Sequence, residues 1–296
     1  MIDEDRILYR AEQFPVFQNK MYATRDAAIH CPKGEIALAQ DTDTGVVTNV
    51  LFDPGRVVYD SSYQNEQGHS QKFLAHLESV LGIVKRHFDS KKRIVEIGCG
   101  KGFFFEMLQK STTGRAVGFD PAYEGENPSI RKEYYEPCFD SFGDSLILRH
   151  VLEHLHHPFD FLASLSSPGV EMKIYIEVPC FDWICEHRAW FDIFYEHVNY
   201  FRLSDFSNAF DRIYEMGTFF EGQYLYVVAD LGSLKQQPFV WEPVCMPKNF
   251  TKNINFFGEL IKRGRCNPSV VWGGGQQGCH ILSFNGTYGS KNRPPY

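Results

Sequence analysis

Apolar and polar positions divide the chain into stretches of different period. Over residues 70–88, SQKFLAHLESVLGIVKRHF, the apolar Phe73, Leu77, Val80, Leu81 and Val84 recur at helical spacing, which predicts a helix with one buried face. Ser70 precedes that run as an N-cap. Beyond it, short apolar runs at Arg93–Ile97, Ala116–Phe119, Ser145–Leu148 and Lys173–Val178 predict buried strands, with a weaker one at Lys132–Glu136. Helices are predicted between them over Phe103–Gln109 and Pro158–Leu165. Strands that alternate with helices build a parallel α/β sheet. Arg212–Glu215 and Gln223–Ala229 have no helix between them, so an antiparallel hairpin is expected to close the sheet. The first 58 residues lack this alternation and are broken by Cys31-Pro32-Lys33-Gly34 and Asp53-Pro54-Gly55.

A length of 296 residues suggests two domains, or one with appendages. The expected division is an N-terminal appendage over 1–58, an α/β domain over 59–235 and a C-terminal extension over 236–296. At 43% apolar and 23% charged residues the chain is ordinary globular protein. A net charge of −7 with no basic block argues against a nucleic-acid partner. No apolar run reaches the ~18–20 residues of a membrane span. The opening MIDEDRILYR is too acidic and polar for a secretory signal, so a soluble, cytoplasmic protein is expected, of unassigned oligomeric state. The 8 cysteines form no C-x-x-C pair, so no metal centre is expected and reduced thiols are.

The most informative residues are Glu96-Ile97-Gly98-Cys99-Gly100-Lys101-Gly102, between a predicted strand and a predicted helix. The pattern E-x-G-x-G-x-G differs from the dinucleotide fingerprint G-x-G-x-x-G, because position 103 is Phe. Glycines allow a tight turn and the close approach of a ligand to the backbone. The next strand ends at Asp120, where a carboxylate can accept both hydroxyls of a ribose.

Here the chain resembles the class I S-adenosylmethionine-dependent methyltransferases. The resemblance covers roughly residues 56–230 and implies a Rossmann-like sheet, mostly parallel, with an antiparallel closing hairpin. It implies S-adenosyl-L-methionine as cofactor, with Gly98, Gly100 and Gly102 at its amino-acid end, Asp120 on the ribose and Glu96 on the methionine part. Three further stretches resemble the sugar-nucleotide C-methyltransferases: Tyr59–Ser70, Arg149-His150-Val151-Leu152-Glu153-His154 and Phe194-Tyr195-Glu196-His197-Val198-Asn199-Tyr200-Phe201. That family has an N-terminal zinc piece and a second α/β lobe. Here Asp41-Thr42-Asp43-Thr44-Gly45 stands where paired cysteines are usual, and Phe194 where a Tyr is. Gly273, Gly275 and Gly278 spell G-x-G-x-x-G, but only 18 residues follow, fewer than a βαβ unit of about 30, so a truncated lobe is expected.

Methyl transfer from a sulfonium is an in-line displacement, for which a protein supplies alignment and, where needed, a base. His197 is the candidate base, because imidazole titrates near neutrality, with Glu196 as its orienting acid. His150 and His154 are four apart and would share one face of a helix, but no third metal ligand stands nearby in sequence. His150 is instead expected at the cofactor, since ligands of open α/β sheets sit at the strands' carboxyl ends. Tyr63 is a further candidate cofactor contact, and Tyr195 a candidate lining residue. Phe103, Phe104 and Phe105 read as helix core more readily than as a cage for a cation. The expected activity is S-adenosylmethionine-dependent methyl transfer to a small polar, sugar-derived metabolite. The alternative is a protein that binds the cofactor without turnover.

Overall fold

The computed structural model describes residues 6–18, 20–57, 70–113, 115–136, 144–166, 170–252, 256 and 259. Its N-terminal part is antiparallel: β1 (Ile7–Pro15), the short α1 (Arg25–Ile29), β2 (Lys33–Gln40) and β3 (Val47–Asn49). Lys33 and Gly34, expected as a break, lie inside β2, because their backbone pairs with Pro15 and Phe14. The Asp41–Gly45 stretch is a tight turn, with Asp41 Oδ1 accepting from the amides of Asp43 and Thr44.

The larger part begins with α2 (Gln71–His87), where the Ser70 hydroxyl accepts from the Phe73 amide as expected of a cap. Then follow β4 (Ile94–Ile97), α3 (Phe103–Ser111), β5 (Ala116–Phe119), β6 (Ile130–Arg131), β7 (Ser145–Arg149), α4 (Pro158–Leu165) and β8 (Lys173–Pro179). The remainder is α5 (Phe181–His187), β9 (Asn199–Tyr200), α6 (Leu203–Ala209), β10 (Ile213–Phe219) and β11 (Tyr224–Asp230). Seven strands form one sheet in the order β10-β11-β8-β7-β4-β5-β6. All neighbouring pairs from β8 to β6 are parallel, while β11 runs antiparallel to both β8 and β10. This is the Rossmann-like α/β sheet with its closing hairpin.

The sheet is buried on both faces, as near-continuous apolar strands require. Val95, Leu146, Leu148 and Ile176 pack on one side with α4 and α6 residues. Ile94, Ile147, Tyr175 and Val228 pack on the other with Leu77 and Val80 of α2 and Phe104 and Leu108 of α3. Strand order reverses between β4 and β7, which opens a crevice at their carboxyl ends.

Two expectations need correction. Lys132–Glu136 is not a strand; the edge strand is β6, just before it. The chain leaves the sheet after Arg131, where Tyr135 packs edge-on against Phe119 at 5.0 Å. The first hairpin strand also extends to Phe219, since the backbone of Met216–Thr218 pairs with Leu225–Val227 whatever the side chains.

β9 does not join the large sheet. It pairs with β3 and completes a four-stranded sheet, β1-β2-β3-β9. The N-terminal segment therefore grips the loop that carries His197, with the Asn49 amide and Thr48 hydroxyl both donating to the Val198 carbonyl. Residues 239–244 lie over the same sheet: the Phe239 amide donates to the Asp43 carbonyl, the Trp241 indole to the Thr42 carbonyl and the Val244 amide to Gln40 Oε1.

Candidate active site

A cavity of about 420 Å³ opens at the switch between β4 and β7, within the range of small-molecule sites. Its wall includes Glu96, Gly98, Gly100, Asp120, His150 and His197. Six of the nine expected site residues thus meet in one place. Tyr63 lies outside the described residues, as do the rest of Tyr59–His69 and the glycines at 273, 275 and 278.

The glycine turn follows from left-handed backbone at Gly98 (φ 73°), Gly100 (φ 56°) and Gly102 (φ 85°). The amides of Gly98 and Cys99 both donate to the Phe119 carbonyl, which locks the turn to β5. Asp120 Oδ2 accepts from the Gly100 amide at 2.7 Å and Oδ1 from the Ala122 amide at 2.8 Å. Each oxygen keeps a second lone pair for a hydroxyl. Gly102 departs from expectation. It does not line the cavity but caps α3, where a side chain would meet Ile130 and Tyr123. Of the three phenylalanines, Phe104 and Phe105 are buried core; Phe103 is partly exposed and touches the cavity.

Glu96 is buried, and its Oε2 has no hydrogen-bond partner among the described residues. Burial, with Asp120 and Glu177 nearby, pushes its carboxyl up to about 8 against the pull of Arg149. Beside it stands a buried polar cluster that no motif in the sequence marks. Glu177 Oε1 receives His76 Nε2 at 3.0 Å, Arg149 at 3.2 Å and His150 Nε2 at 3.2 Å, and its Oε2 receives the Tyr175 hydroxyl at 2.7 Å. Although burial opposes charge, Arg149 and the two histidines hold Glu177 well below the usual carboxylate range. Alternation along β8 was the available signal: Glu177 is a carboxylate inside an apolar strand.

His150 and His154 do not share a helical face. His150 is left-handed (φ 53°), and only Leu152–His154 forms a short 3-10 turn. His150 sits between Glu153 and Glu177; burial disfavours its charge, yet bonds to both carboxylates raise it to about 9. His154 turns the other way, donating from Nδ1 to the Glu196 carbonyl at 3.0 Å. Its ring meets that of His197 edge-on, centroids 5.0 Å apart.

His197 is buried, and the expected titration near neutrality is corrected. Burial, followed by His154, lowers it to about 3, so the imidazole is neutral. Glu196 does not line the cavity; its Oε1 accepts from the Gln18 amide at 2.6 Å. The carboxylate grouped with His197 and His154 on the wall is Glu153. Tyr195 is also turned away, its hydroxyl accepting from the Asp53 amide. Two more lining residues carried no motif: Gln18, supplied by the N-terminal segment, and Asp192, which burial raises to about 6.

Residues 67–213 match the family model described as a methyltransferase domain. No curated protein matches the chain. Among solved structures the chain is similar to a Pyrococcus horikoshii protein, at 13% identity over 55% of this chain and 92% of that one, with a TM-score of 0.40. It is similar to Burkholderia thailandensis 1,6-didemethyltoxoflavin-N1-methyltransferase, solved with 1,6-didemethyltoxoflavin and S-adenosylhomocysteine, at 13% identity over 53% and 78% of the two chains (TM-score 0.40). A possible histamine N-methyltransferase from Thermotoga maritima is similar at 16% identity over 53% and 92% (TM-score 0.39). The matched span holds the glycine turn, Asp120 and the His154–His197 wall, and it defines a class I methyltransferase domain. The chain that carries this domain is an S-adenosylmethionine-dependent methyltransferase. No helix among the described residues is long and apolar enough to cross a membrane.

Proposed function

We propose that this enzyme methylates a small polar acceptor bound against Glu153, His154 and His197, with S-adenosylmethionine held by Glu96, Gly98, Gly100 and Asp120. The observation that carries the reading is that one cavity joins both groups of residues. The cofactor, when bound, supplies a methyl on a cationic sulfur, ready for in-line displacement.

The residues suit such a cofactor. Asp120 is tied to the turn by one lone pair on each oxygen, and the remaining pairs suit two adjacent hydroxyls. The buried Oε2 of Glu96 suits an ammonium, which would favour ionisation of a carboxyl that burial otherwise keeps protonated. At Gly98 a Cβ would run into Val151, so only glycine leaves the turn open to a ligand.

On the acceptor side, His197 is neutral, so its ring presents one nitrogen lone pair at the cavity wall. Glu196 acts on it from a distance, through its carbonyl on His154 and its carboxylate on Gln18. The resemblance of the 149–154 and 194–201 segments to sugar-nucleotide C-methyltransferases supports a sugar-derived acceptor. Phe194 supplies no hydroxyl, so a proton leaving the acceptor goes through His197 or water. Calorimetry with S-adenosylhomocysteine, followed by its detection as product with a panel of sugar nucleotides and small hydroxylated metabolites, tests the reading. Binding with product formation supports it. Binding without product across the panel would favour a cofactor-binding protein.

A further inference from the structure

Two buried polar atoms with no hydrogen-bond partner among the described residues belong to neighbouring side chains on the cavity wall: Glu153 Oε2 and His197 Nδ1. His154 joins them. One nitrogen of each imidazole and one carboxylate oxygen of Glu153 lie within 4.8 Å of one another, and all three residues line the cavity. Glu153 and His154 come from the 3-10 turn after β7, whereas His197 comes from the loop before β9, 43 residues further on. Buried polar atoms without partners are unfavourable, so their convergence on one wall of a cavity calls for a ligand.

We propose that Glu153, His154 and His197 bind a divalent first-row transition cation beside the acceptor. Two imidazoles and one carboxylate are the ligand set of Zn²⁺, Fe²⁺ or Mn²⁺, whereas Mg²⁺ and Ca²⁺ prefer oxygen alone. The outer contacts are those that orient metal ligands. His154 Nδ1 donates to the Glu196 carbonyl at 3.0 Å, which puts that ring's lone pair on Nε2. Glu153 Oε1 is fixed by His150 Nδ1 at 3.2 Å, which leaves Oε2 for the cation. Ligand atoms on a tetrahedral zinc lie roughly 3.4 Å apart, given bonds of about 2.0–2.2 Å. Side-chain rotation therefore has to close the set by up to about 1.4 Å. Three protein ligands leave a coordination position open to the cavity.

The role of the cation rests on the methyl-transfer reading; the site itself does not. An acceptor hydroxyl oxygen bound at the open position loses its proton more readily, and the proton leaves to water. Its lone pair then forms the new oxygen–carbon bond, while the carbon–sulfur electron pair returns to sulfur and yields a neutral thioether.

Co²⁺ is the probe of choice, because its visible absorption reports nitrogen ligation. The full chain should take up one equivalent, and His154→Ala and His197→Ala should each weaken uptake more than about tenfold. A His156→Ala/His157→Ala double variant controls for the exposed imidazole pair nearby, and should bind as the parent does. Zn²⁺ soaked into crystals of the unmutated chain should give anomalous density between the three side chains, a readout that needs no variant to fold. No uptake by the parent chain, loss only in the His156/His157 variant, or density elsewhere would overturn the proposal. S-adenosylhomocysteine titrated into the same samples keeps the two readings apart: cofactor binding without Co²⁺ binding rejects the cation alone.

Discussion

The Asp120 carboxylate accepts a hydrogen bond from the Gly100 amide at 2.7 Å, so the acid after the second parallel strand and the glycine turn after the first are one unit. Asp120→Ala removes both a ribose contact and a brace of the turn. It should weaken S-adenosylhomocysteine binding by about 1.5–3 kcal/mol, the range for hydrogen bonds to a charged group. Asp120→Asn keeps an acceptor for Gly100 and should recover part of that loss. Calorimetry on both variants checks it; equal affinity in a folded Asp120→Ala chain would remove Asp120 from the site.

Glu96 links stability to pH. Its carboxyl lies near 8 in the fold, against a usual 4.5. Between those values the folded chain holds a proton that the unfolded chain has lost, so this group's contribution to stability falls as pH rises from 4.5 to 8. Glu96→Gln has no proton to lose. It should match the parent near pH 5 and exceed it near pH 8.5, by on the order of 1–3 kcal/mol, while binding S-adenosylhomocysteine less tightly. Denaturant melts at the two pH values test this, and a stability difference that does not change with pH would contradict it.

His197→Ala should lower turnover on the order of tenfold or more and leave cofactor affinity within about twofold, because Glu96–Gly100 and Asp120 hold the cofactor. Steady-state rates and calorimetry on one preparation decide it. Parallel loss of cofactor binding and melting temperature would make His197 a packing residue.

Asn49 is buried and serves three backbone groups: its Oδ1 accepts from the Ala37 and Leu51 amides, and its Nδ2 donates to the Glu35 carbonyl. Asn49→Ala should destabilise the chain by about 1–3 kcal/mol, since the Ala37 amide is left buried without its acceptor. A denaturant midpoint unchanged from the parent would show that the N-terminal sheet contributes little to the fold.

The central sheet was legible because its signals are local. Ala116–Phe119 and Pro158–Leu165 carry their own apolar pattern and stops, and they stand where expected. The cofactor wall was legible for the same reason: glycines, strand and acid lie within 25 residues. The acceptor wall was not. Glu153, His154 and His197 meet because the loop before β9 is bonded to the turn after β7, the Val198 amide donating to the Glu153 carbonyl and the Asn199 side chain to the Leu152 and Leu155 carbonyls, and no spacing along the chain encodes those contacts. Gln18 shows the same limit, as it reaches the cavity through its bond to Glu196. His197 is lowered by its burial beside His154, which composition does not reveal.

The pairing of β3 with β9 also sets the order in which the molecule is completed during its own synthesis. Thr48 contacts Val198 across 150 residues of chain. At roughly 5–20 residues per second, the ribosome needs about 8–30 s to deliver that partner after Thr48 has emerged. Throughout that interval Ile36, Leu38 and Val47 lack the cluster partners that come later in the chain, among them Phe181, Ile184, Trp190, Ile193 and Tyr200. The nascent N-terminal sheet therefore stands without its last strand for that time, and slowing translation between residues 50 and 200 should lengthen the wait.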